Sequence, residues 1–109
     1  MNAAGMIFVL TGVSADLSMP FYQSLVTNGD ISQAELDGTR SGLAAIITTL
    51  KNTSEEKIEA LVAKFDNELT EYLNQFNSKK DQDLLGAVRD AQIMTGYVTT
   101  IMVKSGLKQ

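Results

Sequence analysis

The residue types that carry most enzymatic chemistry are missing from this sequence. It has no histidine and no cysteine, so the usual general base, the thiolate nucleophile and the commonest metal ligand are all absent. No Ser-His-Asp or Cys-His arrangement can be assembled. Two serines stand beside lysines, Ser78 next to Lys79 and Ser105 next to Lys104. Both pairs fall at expected helix ends, where capping and solvated charge account for them. Three carboxylate pairs are closely spaced: Glu55 with Glu59, Glu68 with Glu71, and Asp81 with Asp83. The first pair shares a helix face that should look toward water, and the last sits where helix starts favour acids. Carboxyl groups that trade protons near neutral pH need burial or a like charge close by, and the pattern buries none of these.

Metal and phosphate sites fare no better. A di-iron bundle requires Glu-x-x-His on two helices. Asn28-Gly29-Asp30 is too sparse for a calcium loop, and Gly38 and Gly42 lie inside a helical pattern, not between a strand and a helix as a phosphate loop would. No enzymatic activity, metal or cofactor is expected.

Charge also narrows the function classes. The net charge is -4, from nine basic and thirteen acidic side chains. Before Arg40 there are only acids: Asp16, Asp30, Glu35 and Asp37. Without a basic stripe, counterion release would contribute little to binding phosphates, and aromatic residues are only 6% of the chain; no nucleic-acid partner is expected. The segment 1–15 is free of charged side chains and contains Met6-Ile7-Phe8-Val9-Leu10. A membrane span needs about 20 apolar residues, and a secretory leader needs a basic start and a small-residue cleavage site. Neither pattern is met, so no membrane span and a cytoplasmic protein are expected.

The elements that must position these residues are helices. Apolar positions step by 4-3-4-3-4 through Ile58, Val62, Phe65, Leu69, Tyr72 and Phe76, and again through Leu84, Val88, Ala91, Thr95, Val98 and Met102. Leu36, Leu43, Ile47 and Leu50 share one stripe, and Met6, Leu10, Val13 and Leu17 form a shorter one. Ser32 with Glu35, and Thr53-Ser54-Glu55-Glu56, fit capping boxes; Ser18 ahead of Pro20, and Ser78 ahead of Asp81, fit looser starts. Stops fit at Asn28-Gly29, Asn52, Asn77 and Gly106. The spacing predicts helices over 3–17, 19–28, 32–52, 54–77 and 80–104, the first two able to form one helix kinked at Pro20. With 44% hydrophobic residues and no linker, residues 1–109 are expected to form one all-α domain. The short connections predict a compact antiparallel up-and-down bundle of four to five helices, the three C-terminal ones long.

Two faces exceed what a plain bundle needs. Opposite the apolar stripe of 32–52 stand Ala34, Gly38, Gly42 and Ala45, small residues that either let a second helix, from this chain or a twin, cross closely or form a tolerated exposed face. Nearly opposite the stripe of 80–104 stand Gly86, Ile93, Tyr97 and Thr100. An isoleucine and an aromatic together on a solvent face admit three readings: cover by the charge-free N-terminal segment, cover by a partner, or simple exposure. The expected function is therefore a non-enzymatic interaction module (an adaptor, inhibitor, immunity-type or chaperone-like bundle) acting on a protein partner or on a second copy of itself. The alternative is a small apolar ligand held among Phe21, Phe65, Phe76 and the methionines.

Overall fold

In the computed structural model, which describes residues 1–107, every regular element is helical. Helix α1 spans Ala3–Leu17, a 3-10 turn over Pro20–Tyr22 runs into α2 at Gln23–Thr27, and three long helices follow: α3 at Gln33–Lys51, α4 at Glu55–Lys79 and α5 at Leu84–Lys104. The all-α bundle expected from the periodicity is the fold observed. The chain bends by 58° between α1 and the Pro20–Thr27 segment, because proline fixes its own φ and pushes the residue before it out of the helical region. Met19 accordingly takes an extended conformation.

Helix starts follow local capping chemistry. Asn2, Ser32, Ser54 and Asp83 each accept a hydrogen bond from a backbone N–H three residues on, satisfying one donor that has no partner inside the helix. Two stops are Schellman motifs. At Gly29, φ is 81°, with Gly29 N donating to Val26 O and Asp30 N to Leu25 O. At Gly106, φ is 73°, with Gly106 N donating to Val103 O and Leu107 N to Met102 O. The left-handed turn at each position favours a residue without a Cβ.

Several boundaries differ from the spacing, and each has a local cause. Helix α4 runs on through Asn77 to Lys79, and α5 starts at Leu84, not at residue 80. Ser78 donates back to Gln75 O, so the cap falls to Asp83. Thr53 spends its hydroxyl on Thr49 O, which leaves Ser54 as the cap of α4. Ser18 donates to Ser14 O and does not open the Pro20 turn. The box at Ser32 is half made: Ser32 accepts from Glu35 N, while the Glu35 carboxylate leaves for Arg89 and Gln92 on α5.

The long helices alternate in direction, up and down. Their lateral order is α1–α3–α5–α4, because α1 and α5 each pack along α3 and α4. The tight turn at residues 52–54 therefore carries the chain across the bundle's diagonal, and α3 lies parallel to α5. Met6, Leu10, Val13 and Leu17 of α1, Leu36, Leu43 and Leu50 of α3, and Val88, Ala91 and Val98 of α5 all face the core, as their spacing predicts. On α4 the fully buried positions are Ile58, Leu61, Val62, Leu69, Leu73 and Phe76, while Phe65 and Tyr72 are half-buried. Lying between α1 and α5, α4 buries a wider arc than one heptad stripe.

Candidate interaction face

Helix α1 has almost no charge of its own. Asp16 is its single ionisable side chain, and the charges that steady its two ends come from other helices. At the N-terminus, Ala3 N donates to Glu59 Oε1 of α4 at 2.6 Å, and the Met1 ammonium pairs with Asp66 Oδ2 at 2.8 Å. The Met1 contact holds the Asp66 carboxyl below its usual range. At the C-terminus, Arg40 Nε of α3 donates to Leu17 O at 2.7 Å. An acid at the positive end of the helix dipole and a base at the negative end both stabilise it. Glu59 thus accepts from the first turn of a neighbouring helix. Asp16 is itself paired with Lys80 Nζ at 3.3 Å.

The outer face of α1 is unpartnered. At 100° per residue, Ala3, Met6, Leu10, Val13 and Leu17 point inward, and Phe8 lies opposite them. Phe8 is 78% exposed, the most exposed of the large apolar side chains. Around it stand Ala4, Thr11, Gly12 and Ala15, all exposed and none charged, with exposed Met19 beyond the helix end. An added Cβ on Gly12 would meet nothing within 4 Å. Beside this row, between α1 and α4, runs a groove of about 340 Å³ with Val9, Gly12, Val13 and Leu73 among its lining residues. Asp16 and Lys80 also line it. A helix apolar on all sides normally lies inside a larger body, and α1 leaves one side uncovered.

The residues singled out from sequence lie elsewhere and do not form one patch. Gly42 faces α5, where an added Cβ would sit 3.5 Å from Thr95 Cγ2; Gly38 opens to solvent. Gly86 follows the Asp83 cap so closely that any Cβ would collide with that carboxylate. Thr100 is exposed and donates to Gly96 O. Ile93 is 55% exposed. Tyr97 is covered from within the chain by α4: its ring lies 6.2 Å from Phe65, edge-on, and 5.0 Å from Tyr72. Burial, then the nearby Glu68, pushes the Tyr97 phenol up. The N-terminal segment, expected as one possible cover, packs on α3 and α4. Phe21, Phe65 and Phe76 do not meet around a pocket: Phe21 is exposed beside Tyr22, Phe65 is half-buried against Tyr97, and Phe76 is fully buried in the core.

Two clusters of polar contacts tie α5 to its neighbours. Gln92 donates to Glu35 at 2.8 Å and to Thr39 at 3.3 Å, and Arg89 pairs with the same Glu35 carboxylate. The bonds from Gln92 and Arg89 hold Glu35 below the usual carboxylate range. Asp90, 7% exposed, faces Lys79 Nζ at 2.8 Å. Among the described residues no group of three or more acidic side chains is placed to hold a metal ion, and no single helix is long and apolar enough to cross a membrane. No protein-family model matches the chain, and comparison with curated proteins and with solved structures gives no match.

Proposed function

We propose that this chain is a non-enzymatic helical bundle that works by binding another protein, and that the outer face of α1 is its docking surface. One observation carries the proposal: Phe8 stands 78% exposed in the middle of an uncharged helix face. Burying apolar area is worth roughly 25 cal/mol per Å², so an aromatic left in water is a standing free-energy cost that a partner removes. Aromatic side chains, phenylalanine among them, are also enriched at the cores of protein interfaces. The role fits an adaptor, inhibitor or chaperone-like module of acidic charge. The test is recovery of bound proteins from native extract on immobilised wild-type chain and on a Phe8→Glu variant, with circular dichroism to verify folding. Loss of a stoichiometric partner on the folded variant is the expected outcome. The same proteins on both baits would remove α1 from the function.

The groove beside α1 supports a second function, capture of a small apolar ligand, since its volume of about 340 Å³ lies at the low end of ligand sites. A thermal-shift screen of fatty acids and aromatic compounds decides it: a saturable rise in melting temperature that Leu73→Trp abolishes supports a ligand, and a flat screen removes it.

A further inference from the structure

We infer that the partner on this face is a second copy of the chain, the two α1 helices lying antiparallel about a two-fold axis beside residue 10, so that Phe8 of each enters the hollow over Gly12 of the other. The inference rests on the α1 face being the docking surface and names its occupant.

Charge selects among occupants. The α1 face offers no acid or base on its outer row, so a charged peptide finds nothing to pair with there. A lipid surface is disfavoured, because helices that lie in a bilayer interface carry lysine and arginine at their margins. Here the bases flanking the face, Lys80 and the Met1 ammonium, are each already paired with an acid, Asp16 and Asp66, Arg40 is spent on Leu17 O, and the chain carries a net charge of -4. A second copy brings an equally uncharged face, and the contact buries no unpaired ion.

Shape agrees. In an antiparallel pair centred at residue 10, position i meets position 20 − i. That sets Phe8 over Gly12, Gly5 beside Ala15, and Met1 beside Met19. The single large ring thus meets the glycine of the row that has open space above it, whereas the other, Gly5, is crowded by Asn2 and Met1. The space above Gly12 is open and continuous with the apolar groove floored by Val9, Val13 and Leu73. An isologous contact of this kind closes at two copies.

Size sets the strength. The 15 residues of α1 span about 22 Å, and a strip about 10 Å wide covers a few hundred Å² per copy. A stable interface needs about 800 Å² per partner, so the dimer is weak and populates at roughly 100 µM and above.

Sedimentation equilibrium from about 10 µM to about 1 mM tests it, a range chosen to bracket that affinity. The wild type shifts from monomer to dimer; Phe8→Glu and Gly12→Leu each weaken association at least about tenfold; Ile93→Glu on α5 changes nothing. Gly12→Leu separates the interface from folding, because the empty space above Gly12 and the better helix propensity of leucine keep its melting temperature at or above wild type. Because the chain has no cysteine, a short thiol crosslinker maps the geometry. A Phe8→Cys chain mixed with a Gly12→Cys chain links efficiently, whereas Ala4→Cys does not link to itself, its two copies lying about 18 Å apart along the axis. A wild type monomeric throughout the range, a dimer indifferent to both substitutions, or an Ala4→Cys self-link overturns the inference. A monomeric chain that still holds a different protein, or neutral lipid vesicles, through Phe8 overturns the second copy as occupant while leaving the α1 face as the docking surface.

Discussion

Tyr22 shows how much one side chain fixes in the N-terminal third. It is fully buried, and its hydroxyl donates to Lys80 O at 3.1 Å, tying the turn after α1 to the end of α4. Burial, then the nearby Asp16 and Asp81, pushes its phenol up to about 12. The folded state therefore resists ionisation of Tyr22 while the unfolded chain ionises near 10. The corresponding stability is whole below pH 10 and is lost as pH rises toward 12. Tyr22→Phe should cost about 1 kcal/mol at neutral pH, from the acceptor left without its donor, and should flatten the alkaline loss; urea melts at pH 7 and between pH 10 and 12 measure both. The neighbouring aromatic shows where sequence reading stops. Phe21 and Tyr22 stand side by side in the same turn, and only the three-dimensional path after the 58° bend sends one inward and the other out.

At the scale of elements, α1 is a helix whose end charges are supplied by its neighbours. Arg40→Gln, which removes the charged donor from Leu17 O, should destabilise the protein by about 1–2 kcal/mol, the range for a hydrogen bond to a charged group at a helix terminus. Chemical denaturation with far-ultraviolet circular dichroism reads the change, and an unaltered midpoint would deny Arg40 this role. Such contacts are invisible in the sequence because they join residues 23 and 56 positions apart. What is local was legible. The inward stripes of α1 and α3, the Asn28-Gly29 and Gly106 stops and the Ser32 cap all follow from 3.6-residue spacing and from hydrogen-bonding groups a few residues apart. Even α1, rich in β-branched residues that would also suit a strand, keeps the expected bounds, because its stripe finds α3 and α4 to pack on. The start of α5 differs from the spacing because serine and aspartate both cap helices, and Ser78 bonds backward into α4. The exposed row through Phe8 was present in the same projection that gives the α1 core stripe. The sequence does not mark it as a surface, because α1 is apolar on every side and either face could be the buried one.

For the whole molecule, the lateral order α1–α3–α5–α4 makes stability uneven. Helices α4 and α5 share the most extensive contact in the bundle and are joined by a four-residue connection, whereas α1 meets α4 far less closely. Local opening draws on the elements with fewest packed neighbours. Native-state hydrogen exchange should therefore release the amides of α1 at a lower free energy than those in the middle of α4 and α5. Uniform protection across all four long helices would show that the bundle opens only as a unit. The bend at Pro20 and the loop that follows give α1 room to leave without unravelling α3.

Such a departure would uncover oily surface twice over, on the shelf that α1 vacates along α3 and α4 and on both flanks of the freed rod, with Asp16 its only ionisable side chain. Concentrated samples warmed toward their melting point should then precipitate before they unfold completely. A single solubilising charge in place of Phe8 should lengthen their useful life in storage without strengthening the native fold at all.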